Sequence, residues 1–340
     1  MVKSQTEIKT HKIRLEPSGK SFLAKEGQTL LDAAIRNEVQ IPYGCRHGNC
    51  AACKALVLEG DFELMGRISE YSLLSFERDE GYVLLCSTLA ESDMVLEVEE
   101  ETDVEFFPIH DFEADIVGNC QVTDNIHVIN MRLKNPENIR YAAGQFFEFD
   151  IPELGETRAY SMANSHQEGA DIEFHVKRIQ GGRGSNYLCD LKTGERVTGS
   201  GPYGKMQLRD RDKDLLFVAG GSGMAPIKAL LEELFSQPFA HKVWFFYGAR
   251  TKRDLYLMDE WTKIENDFPN FHFIPALSEH DPEDEWNGEV GYIADVVEKH
   301  ITNGKNMDAF LCGPPILIET TIRVLSSLGL KHSNIFYDEF

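Results

Sequence analysis

Three of the chain's seven cysteines, Cys45, Cys50 and Cys53, lie within nine residues. Their spacing is C-x4-C-x2-C, and Cys86, in the stretch YVLLCST, is the obvious fourth thiol. Both zinc ions and iron–sulfur clusters are bound by thiolates. Structural zinc sites usually take their ligands from two close pairs, whereas a close triplet with a distant fourth cysteine is typical of a 2Fe–2S cluster. The spacing therefore favours a 2Fe–2S cluster, with zinc as the alternative.

Two stretches contain residues that could bind a phosphate group or a flat aromatic ring. RAYSMAN at 158–164 contains Arg158, which can fork onto phosphate oxygens, and Tyr160, which can cover an apolar ring. GGRGSNYL at 181–188 has the small residues that open a helix N-terminus toward an anion. R-x-Y-S is a short pattern, and a half-buried strand with a tyrosine is its alternative explanation.

A third phosphate-binding candidate is FVAGGSGMAP at 217–226, which follows an apolar strand pattern and opens a helical one. It is not the G-x-G-x-x-G fingerprint. YGAR at 247–250 and CGPP at 312–315 end two later apolar runs. Without its neighbours, Cys312 would be read as a small buried hydrophobe at a strand end. Cys120 and Cys189 have no such context and are expected to be structural.

Three segments position these motifs. In the first, IKTHKIRLEP and KSFLAK predict a hairpin around Ser18-Gly19, and TLLDAAIRNE predicts a helix with Thr29 as its N-cap. In the second, six short β-rich runs between 107 and 209 predict an antiparallel barrel or sandwich. From 212, strand and helix patterns alternate, which indicates a doubly wound parallel sheet. We therefore predict a multidomain chain, with domains at 1–103, 104–210 and 211–340.

Composition narrows the partners. The formal charge of −22 and the pI near 4.9 argue against nucleic acid, whose phosphates would repel such a surface. The acidity suits either steering of a protein partner or simple solubility. No stretch approaches the roughly 18 apolar residues of a membrane helix, and the N-terminus lacks the apolar core of a signal peptide. We expect a cytoplasmic monomer without membrane contact.

Taken together, the motifs resemble a known family. YGCRHGNCAACK with VLLC is similar to the ferredoxin domain of the ferredoxin–flavin reductases that serve bacterial oxygenases. RAYSMAN matches the R-x-Y-S motif of the ferredoxin–NADP reductase superfamily, and AGGSGMAP resembles its nicotinamide-domain loop. The resemblance covers nearly the whole chain. It implies a β-grasp 2Fe–2S ferredoxin domain, an FAD-binding β-barrel and an α/β NAD(P)H domain, in that order.

The resemblance also implies residue roles. Cys45, Cys50, Cys53 and Cys86 would hold the cluster. Arg158 would contact the flavin pyrophosphate, Tyr160 the isoalloxazine face and Ser161 the neighbourhood of flavin nitrogen 5. Further FAD-binding residues would be Ala159, His175, Val176, Lys177, Gly181, Gly182 and Ser185. NADH-binding residues would be Gly220, Gly221, Ser222, Gly223, Pro226, Gly248, Arg250, Cys312, Gly313 and Pro314.

The chain's last residues, FYDEF, occupy a place where relatives carry an acid and an aromatic. The resemblance implies that Glu339 supports proton or nicotinamide handling and that Phe340 covers the flavin. Ser161, Cys312 and Glu339 are then the catalytic candidates. An ordinary edge strand is the alternative for this segment.

The implied activity is an NADH-dependent reductase component. Electrons pass from NADH to FAD, then singly to the 2Fe–2S cluster, and then to a separate oxygenase. SFERDEGYVLLC, GPYG, VGYIAD and AFLCGPP resemble reductases of phenol, toluene and alkane hydroxylases, which implies a di-iron hydroxylase as acceptor. GARTKRDLY contains one acid that suits the ribose 2′-hydroxyl of NADH, Asp254, and three bases that suit the 2′-phosphate of NADPH, which are Arg250, Lys252 and Arg253. The family resemblance favours NADH.

Three alternatives remain open at this point. A Rieske dioxygenase reductase has the same three modules. A sodium-pumping NADH:quinone reductase subunit has similar modules but is expected to carry a membrane helix before its ferredoxin, and the sequence shows none. A non-enzymatic electron carrier, with a ferredoxin fused to a regulatory region, predicts no NADH turnover.

Overall fold

The computed structural model describes residues 9–44, 46, 48, 51–66, 68–98, 105–209 and 212–339. The chain divides into two compact units, Met1–Ile109 and His110–Phe340. Cys45, Cys50 and Phe340 lie outside the described residues, so the roles assigned to them stay predictions. Across the described ranges, no helix is both long and apolar enough to cross a bilayer.

The first unit is a mixed sheet with a helix packed on it. Its elements are β1 Thr10–Glu16, β2 Ser21–Lys25, α1 Leu30–Arg36, β3 Lys54–Glu59, β4 Phe62–Leu64, α2 Ser75–Asp79, β5 Tyr82–Leu84, a 3-10 turn Leu85–Ser87, β6 Thr88–Ala90 and β7 Met94–Glu97. The main sheet has the order β2-β1-β7-β3-β5, with β1 and β7 parallel, and β4 pairs with β6. The predicted hairpin is confirmed as β1–β2. Thr29 is the N-cap of α1, because its Oγ1 accepts from the Asp32 N–H at 3.2 Å.

The second unit opens with a six-stranded antiparallel sheet of order β11-β10-β13-β8-β9-β12. Its elements are β8 His110–Gln121, β9 Ile126–Asn135, β10 Phe146–Ile151, β11 Glu156–Ser161, β12 Ile172–Lys177, α3 Arg183–Asp190 and β13 Arg196–Tyr203. All six predicted β-rich runs are strands. A bridge between Met162 and Phe174, with the Ala163 N–H donating to the Glu173 carbonyl at 2.7 Å, joins the two edge strands. The sheet is therefore a barrel rather than a sandwich.

A parallel sheet of order β17-β16-β15-β14-β18-β19 follows. Its elements are β14 Asp214–Gly220, a 3-10 turn Gly221–Gly223, α4 Met224–Phe235, β15 Val243–Ala249, a 3-10 turn Lys252–Asp254, α5 Met258–Asp267, β16 Phe271–Leu277, β17 Glu289–Val290, α6 Ile293–His300, β18 Met307–Gly313, α7 Pro315–Ser327, a 3-10 turn His332–Asn334 and β19 Ile335–Glu339. Apolar residues of α4 and α5 pack on one face, those of α6 and α7 on the other. The doubly wound prediction is confirmed.

Helix α4 ties the parallel sheet to the barrel within this unit. Lys228 Nζ donates to the Ala163 carbonyl at 3.2 Å. The Glu232 carboxylate accepts from the backbone N–H of Ser165 at 3.0 Å. The Glu233 carboxylate accepts from the backbone N–H of Ala143 at 3.2 Å. We call these three charged side chains the α4 joint. The division of this unit at 210/211 stays a prediction.

Candidate active site

The structure brings two of the four predicted cluster ligands to the same end of one strand pair. Cys53 directly precedes β3, and Cys86 lies in the 3-10 turn that follows β5. These strands pair antiparallel with Lys54 opposite Leu84, and the Leu85 N–H donates to the Cys53 carbonyl at 3.0 Å. Both cysteines are buried. The distant fourth cysteine therefore lies beside the last one of the triplet, as a four-thiolate cluster requires.

Among the described residues alone, no group of three ligating side chains forms a metal site, and the other two predicted ligands lie outside that set. The loop near them is anchored by two serines that sequence reasoning missed. The buried Ser72 hydroxyl donates to the Gly48 carbonyl at 2.6 Å, and the Ser69 N–H bonds the same carbonyl at 3.1 Å. Two donors on one carbonyl fix the loop's path at Gly48.

The flavin motif and the glycine-rich helix start lie side by side. Arg158 is on β11, and a Cβ added to Gly184 in α3 would come within 2.7 Å of the Arg158 Cγ. Glycine is therefore needed for the helix to approach the arginine stem. Gly182 is the N-cap of α3, and the Ser185 Oγ accepts from the Ile179 N–H at 3.1 Å. An arginine stem packed against a helix N-terminus is a diphosphate-binding arrangement, so these residues fit FAD.

Tyr160, two residues along β11, supplies the ring-binding surface. Its ring packs edge-on against Phe149, with centroids 6.0 Å apart. Burial raises the pKa of Tyr160 to about 12, so the hydroxyl keeps its proton at neutral pH. Ala159 is exposed and Ser161 half-buried, at the end of the same strand. An apolar, neutral ring beside the diphosphate-binding residues fits a flavin face.

A cavity of about 520 Å³ lies at the carboxyl ends of the parallel strands. From β14 the chain winds outward through β15 to β17 on one side and returns to β18 on the other. This is the topological switch point where open α/β sheets bind their ligands. Of the residues predicted to bind NADH, those that line the cavity are Gly220, Gly221, Gly248, Arg250 and Pro314; Lys177, which was predicted to bind FAD, lines it too. Lining residues that were not predicted include Ser278, Tyr292, Ile293, Asp295, Ile316 and Thr320.

Glycines bring the two loops at this switch point into contact. A Cβ added to Gly223 would overlap the carbonyl oxygen of Cys312, and one added to Gly220 would lie 2.6 Å from the Leu317 Cδ1. Gly313, at a φ of 153°, faces Gly220 across the same gap. Ser222 and Pro226, behind the loop, are buried. This cradle lets backbone approach a dinucleotide closely, so the residues fit NADH.

The acid that stands beside Cys312 is Asp338, and the role expected for Glu339 stays a prediction. Cys312 on β18 is fully buried and stands opposite Asp338 on β19. The Asp338 Oδ2 is buried and makes no hydrogen bond within the described part of the chain. Burial raises the pKa of Asp338 to about 7, and burial with the Asp338 charge raises the pKa of the Cys312 thiol. Glu339 is exposed and, because strand side chains alternate, lies on the opposite face of β19.

The remaining predicted residues divide between core and surface. Val176 is in the barrel core, and the His175 side chain is fully buried, so any contact of these two with flavin falls to their backbone. Gly181 has a φ of 73°, a conformation that favours glycine. Cys189 is buried as a structural residue would be. Cys120 is exposed, which does not fit the structural role expected for it.

Family models match the chain in three consecutive blocks. Residues 13–91 match a 2Fe-2S iron-sulfur cluster binding domain. Residues 113–208 match an oxidoreductase FAD-binding domain, and residues 217–323 an oxidoreductase NAD-binding domain. The three blocks contain the cysteine, R-x-Y-S and glycine-loop motifs, respectively.

Relatives match over nearly full length. The phenol hydroxylase P5 protein of Acinetobacter pittii (strain PHEA-2) is 34% identical, covering 97% of this chain and 94% of that protein. The toluate 1,2-dioxygenase electron transfer component of Pseudomonas putida is 31% identical, covering 97% and 98%. Among solved structures, the Amycolatopsis cytochrome P450 reductase GcoB has a TM-score of 0.89 at 28% identity, covering 97% and 99%.

Proposed function

This chain belongs to the family of FAD- and 2Fe–2S-containing NADH reductase components of bacterial oxygenases, and we propose that it reduces a separate di-iron monooxygenase hydroxylase. The observation that carries the proposal is the order of three cofactor-binding blocks on one chain whose relatives match end to end. A phenol hydroxylase protein among those relatives supports the di-iron acceptor. The toluate dioxygenase component supports a Rieske oxygenase as the second candidate acceptor.

FAD, when bound, accepts a hydride and passes electrons on singly, so a two-electron donor can reduce a one-electron cluster. The chain's residues supply position and charge. Arg158 and the N-terminus of α3 would hold the flavin diphosphate. The Gly220–Gly223 loop would hold the dinucleotide, with Cys312 behind it. Asp338, whose pKa burial raises to about 7, would supply or take a proton beside Cys312.

The coenzyme preference rests on the turn after β15. The Asp254 carboxylate accepts from both the N–H and the Oγ1 of Thr251 at 3.0 Å. Both Arg250 and Asp254 line the cavity, and the Arg250 Nη2 lies 3.9 Å from the Asp254 Oδ1. A fixed carboxylate suits a ribose 2′-hydroxyl and repels a 2′-phosphate. It also offsets the charge of Arg250, which would otherwise favour NADPH.

The proposal is tested by cofactor analysis and steady-state turnover of the purified protein. We expect FAD on denaturation, two iron atoms with two labile sulfides per chain, and dye reduction driven by NADH. Catalytic efficiency with NADH should exceed that with NADPH about tenfold, equivalent to ~1.4 kcal/mol. FMN, zinc or absence of NADH turnover would contradict the proposed function; equal use of NADPH would contradict the coenzyme assignment alone.

Acids next to the predicted cluster loop give a second prediction, about docking. Glu59, Asp61 and Glu63 are exposed on the first unit. If they steer a basic patch of the oxygenase, the rate of electron delivery should fall roughly tenfold between low and high salt, because salt screens charges beyond about 8–10 Å. Stopped-flow mixing of the reduced protein with its oxygenase measures this rate.

Neutralising the three acids to Gln, Asn and Gln should remove most of that salt dependence. A matched control neutralises three exposed acids of the second unit, Glu283, Asp284 and Glu285, which changes net charge equally. A rate that is insensitive to salt, or equal effects of both triple variants, would show that these acids do not steer docking.

A further inference from the structure

A continuous chain of polar side chains, buried except for the half-buried Glu173, runs from helix α4 to the glycine loop. Lys228 Nζ lies 3.2 Å from the Glu173 Oε1, which lies 3.0 Å from the His175 Nε2. The His175 Nδ1 is 3.0 Å from the Tyr256 hydroxyl. That hydroxyl is 3.3 Å from the carbonyl oxygen of Gly221. We call this series the Lys228–Gly221 chain. It connects a barrel strand, β12, to the loop that lines the dinucleotide cavity.

Proton positions along the chain follow from its charges. Burial opposes ionisation of Glu173, but its bonds to His175 and Lys228 outweigh burial and lower its pKa. Burial opposes the charge of Lys228 in the same way, but Glu173 and Glu232 raise its pKa. The α4 end of the Lys228–Gly221 chain is therefore an ion pair between Lys228 and Glu173. A carboxylate only accepts hydrogen bonds. The His175 Nε2–H must donate to Glu173.

The middle of the Lys228–Gly221 chain, formed by His175 and Tyr256, is neutral. Burial lowers the pKa of His175, although the carboxylates Glu173 and Glu260 oppose that shift. Burial raises the pKa of Tyr256 well above its usual value, and the Glu173 charge acts in the same direction. With its proton on Nε2, His175 accepts at Nδ1 from the Tyr256 hydroxyl. The one hydroxyl proton is shared between that nitrogen and the Gly221 carbonyl. Because the donor directions are set from the ion pair, Tyr256 holds one orientation.

The tyrosine's ring and its hydroxyl do different things. The ring packs edge-on against His175, with centroids 5.3 Å apart, and phenylalanine would keep that contact. The hydroxyl is the group that reaches Gly221, which has a φ of 59° and open space where a Cβ would stand. Side-chain packing therefore does not fix Gly221 from that direction, and the hydroxyl contact contributes to its position.

We propose that Tyr256 is a positioning residue that holds the Gly221 loop against β12 and so sets the distance between the nicotinamide and flavin sites. The consequence for hydride transfer rests on the proposed function. The effect on the position of the Gly221 loop does not rest on the proposed function, because it concerns this protein's own backbone. Donor and acceptor must approach to about 3–3.5 Å for transfer, and a displacement of about 1 Å can cost a hundredfold in rate.

The test is Tyr256→Phe, with Tyr141→Phe as the matched control. Tyr141 is another buried tyrosine of the same unit, whose hydroxyl donates to the Asn164 Oδ1 at 3.4 Å outside the chain described here. We expect Tyr256→Phe to keep its FAD and to slow flavin reduction by NADH about tenfold or more in stopped flow. The KM for NADH should change less than kcat. Tyr141→Phe should match the wild type in both.

Hydrogen–deuterium exchange without NADH gives a readout separate from activity. Peptides spanning 219–226 should exchange faster in Tyr256→Phe than in Tyr141→Phe or the wild type. His175→Gln removes the ring that orients the Tyr256 hydroxyl and should produce a similar loss. The double variant should be no worse than either single one, because His175 acts on the loop through that hydroxyl. This cycle also separates positioning from general destabilisation if the single variants melt at lower temperature.

Wild-type exchange and wild-type flavin reduction in Tyr256→Phe would overturn the inference, as would fully additive losses in the double variant. A wild-type protein that does not oxidise NADH would instead overturn the proposed function. Faster exchange with an unchanged hydride-transfer rate would show that Tyr256 holds the loop but not the reacting distance, which also contradicts the inference.

Discussion

Replacement of Cys86 by serine is expected to reduce electron delivery to the oxygenase to almost nothing, while NADH-dependent dye reduction continues near the wild-type rate. Cys86 is buried in the turn after β5, and the N–H of the preceding Leu85 donates to the Cys53 carbonyl. A hydroxyl is a far poorer iron ligand than a thiolate, and the described part of this unit holds no cysteine besides Cys53 and Cys86. The predicted FAD and NADH residues belong to the other compact unit, so they should still bind and react.

Iron and sulfide content, the visible absorption of the cluster and oxygenase turnover measure the loss; dye reduction measures what survives. Cys120→Ser is the matched control, because it removes an exposed thiol from outside the cysteine pattern. It should leave all four quantities unchanged. If Cys86→Ser still drove its oxygenase normally, the cluster would not be on the electron path and the proposed function would fail at its central step.

Replacement of Gly223 by alanine should slow flavin reduction by NADH roughly a hundredfold. The added methyl would overlap the Cys312 carbonyl carbon and oxygen, which belong to β18 in the interior of the parallel sheet. Such backbone cannot yield cheaply, so the loop between β14 and α4 must shift instead. That shift moves the dinucleotide cradle relative to Cys312. The FAD residues lie in the barrel, so flavin content should be retained.

Gly118→Ala is the control, because glycine-to-alanine changes also alter the unfolded chain. Its new methyl would lie 3.6 Å from the Asn130 Nδ2, an ordinary contact. Stopped-flow flavin reduction and the KM for NADH should match the wild type in this variant. A rate within twofold of the wild type for Gly223→Ala would mean that the loop contact is not needed for nicotinamide placement.

Features that depend on local pattern were predictable from the sequence. The six barrel strands coincide with the alternating runs in the sequence, and β14 coincides with the apolar run DLLFVAG. The Thr29 cap follows from residue type at a fixed offset. β17 has two residues and forms through its pairing with β16, so no pattern in its own sequence indicates it.

Site residues were missed where strand pairing or long-range contacts decide their place. Which acid stands opposite Cys312 depends on strand register, and that register comes from the pairing of β18 with β19. Tyr256 lies in KRDLYLMDEW, which matches no motif, and its partners His175 and Gly221 are 81 and 35 residues away in sequence. Motif spacing carries no information about contacts of that range.

The α4 joint places unequal demands on the two sides it connects. Three charged side chains lie on the helix, whereas the groups they meet at 143, 163 and 165 are main-chain N–H and C=O groups. Nearly any residue type presents those atoms, so substitutions at these three barrel positions can accumulate without loss of the joint. On the helix, a change at Lys228, Glu232 or Glu233 removes a partner directly. An exchanged barrel from a family member should therefore be tolerated when it keeps Glu173 and His175, the barrel side chains that meet Lys228 and Tyr256.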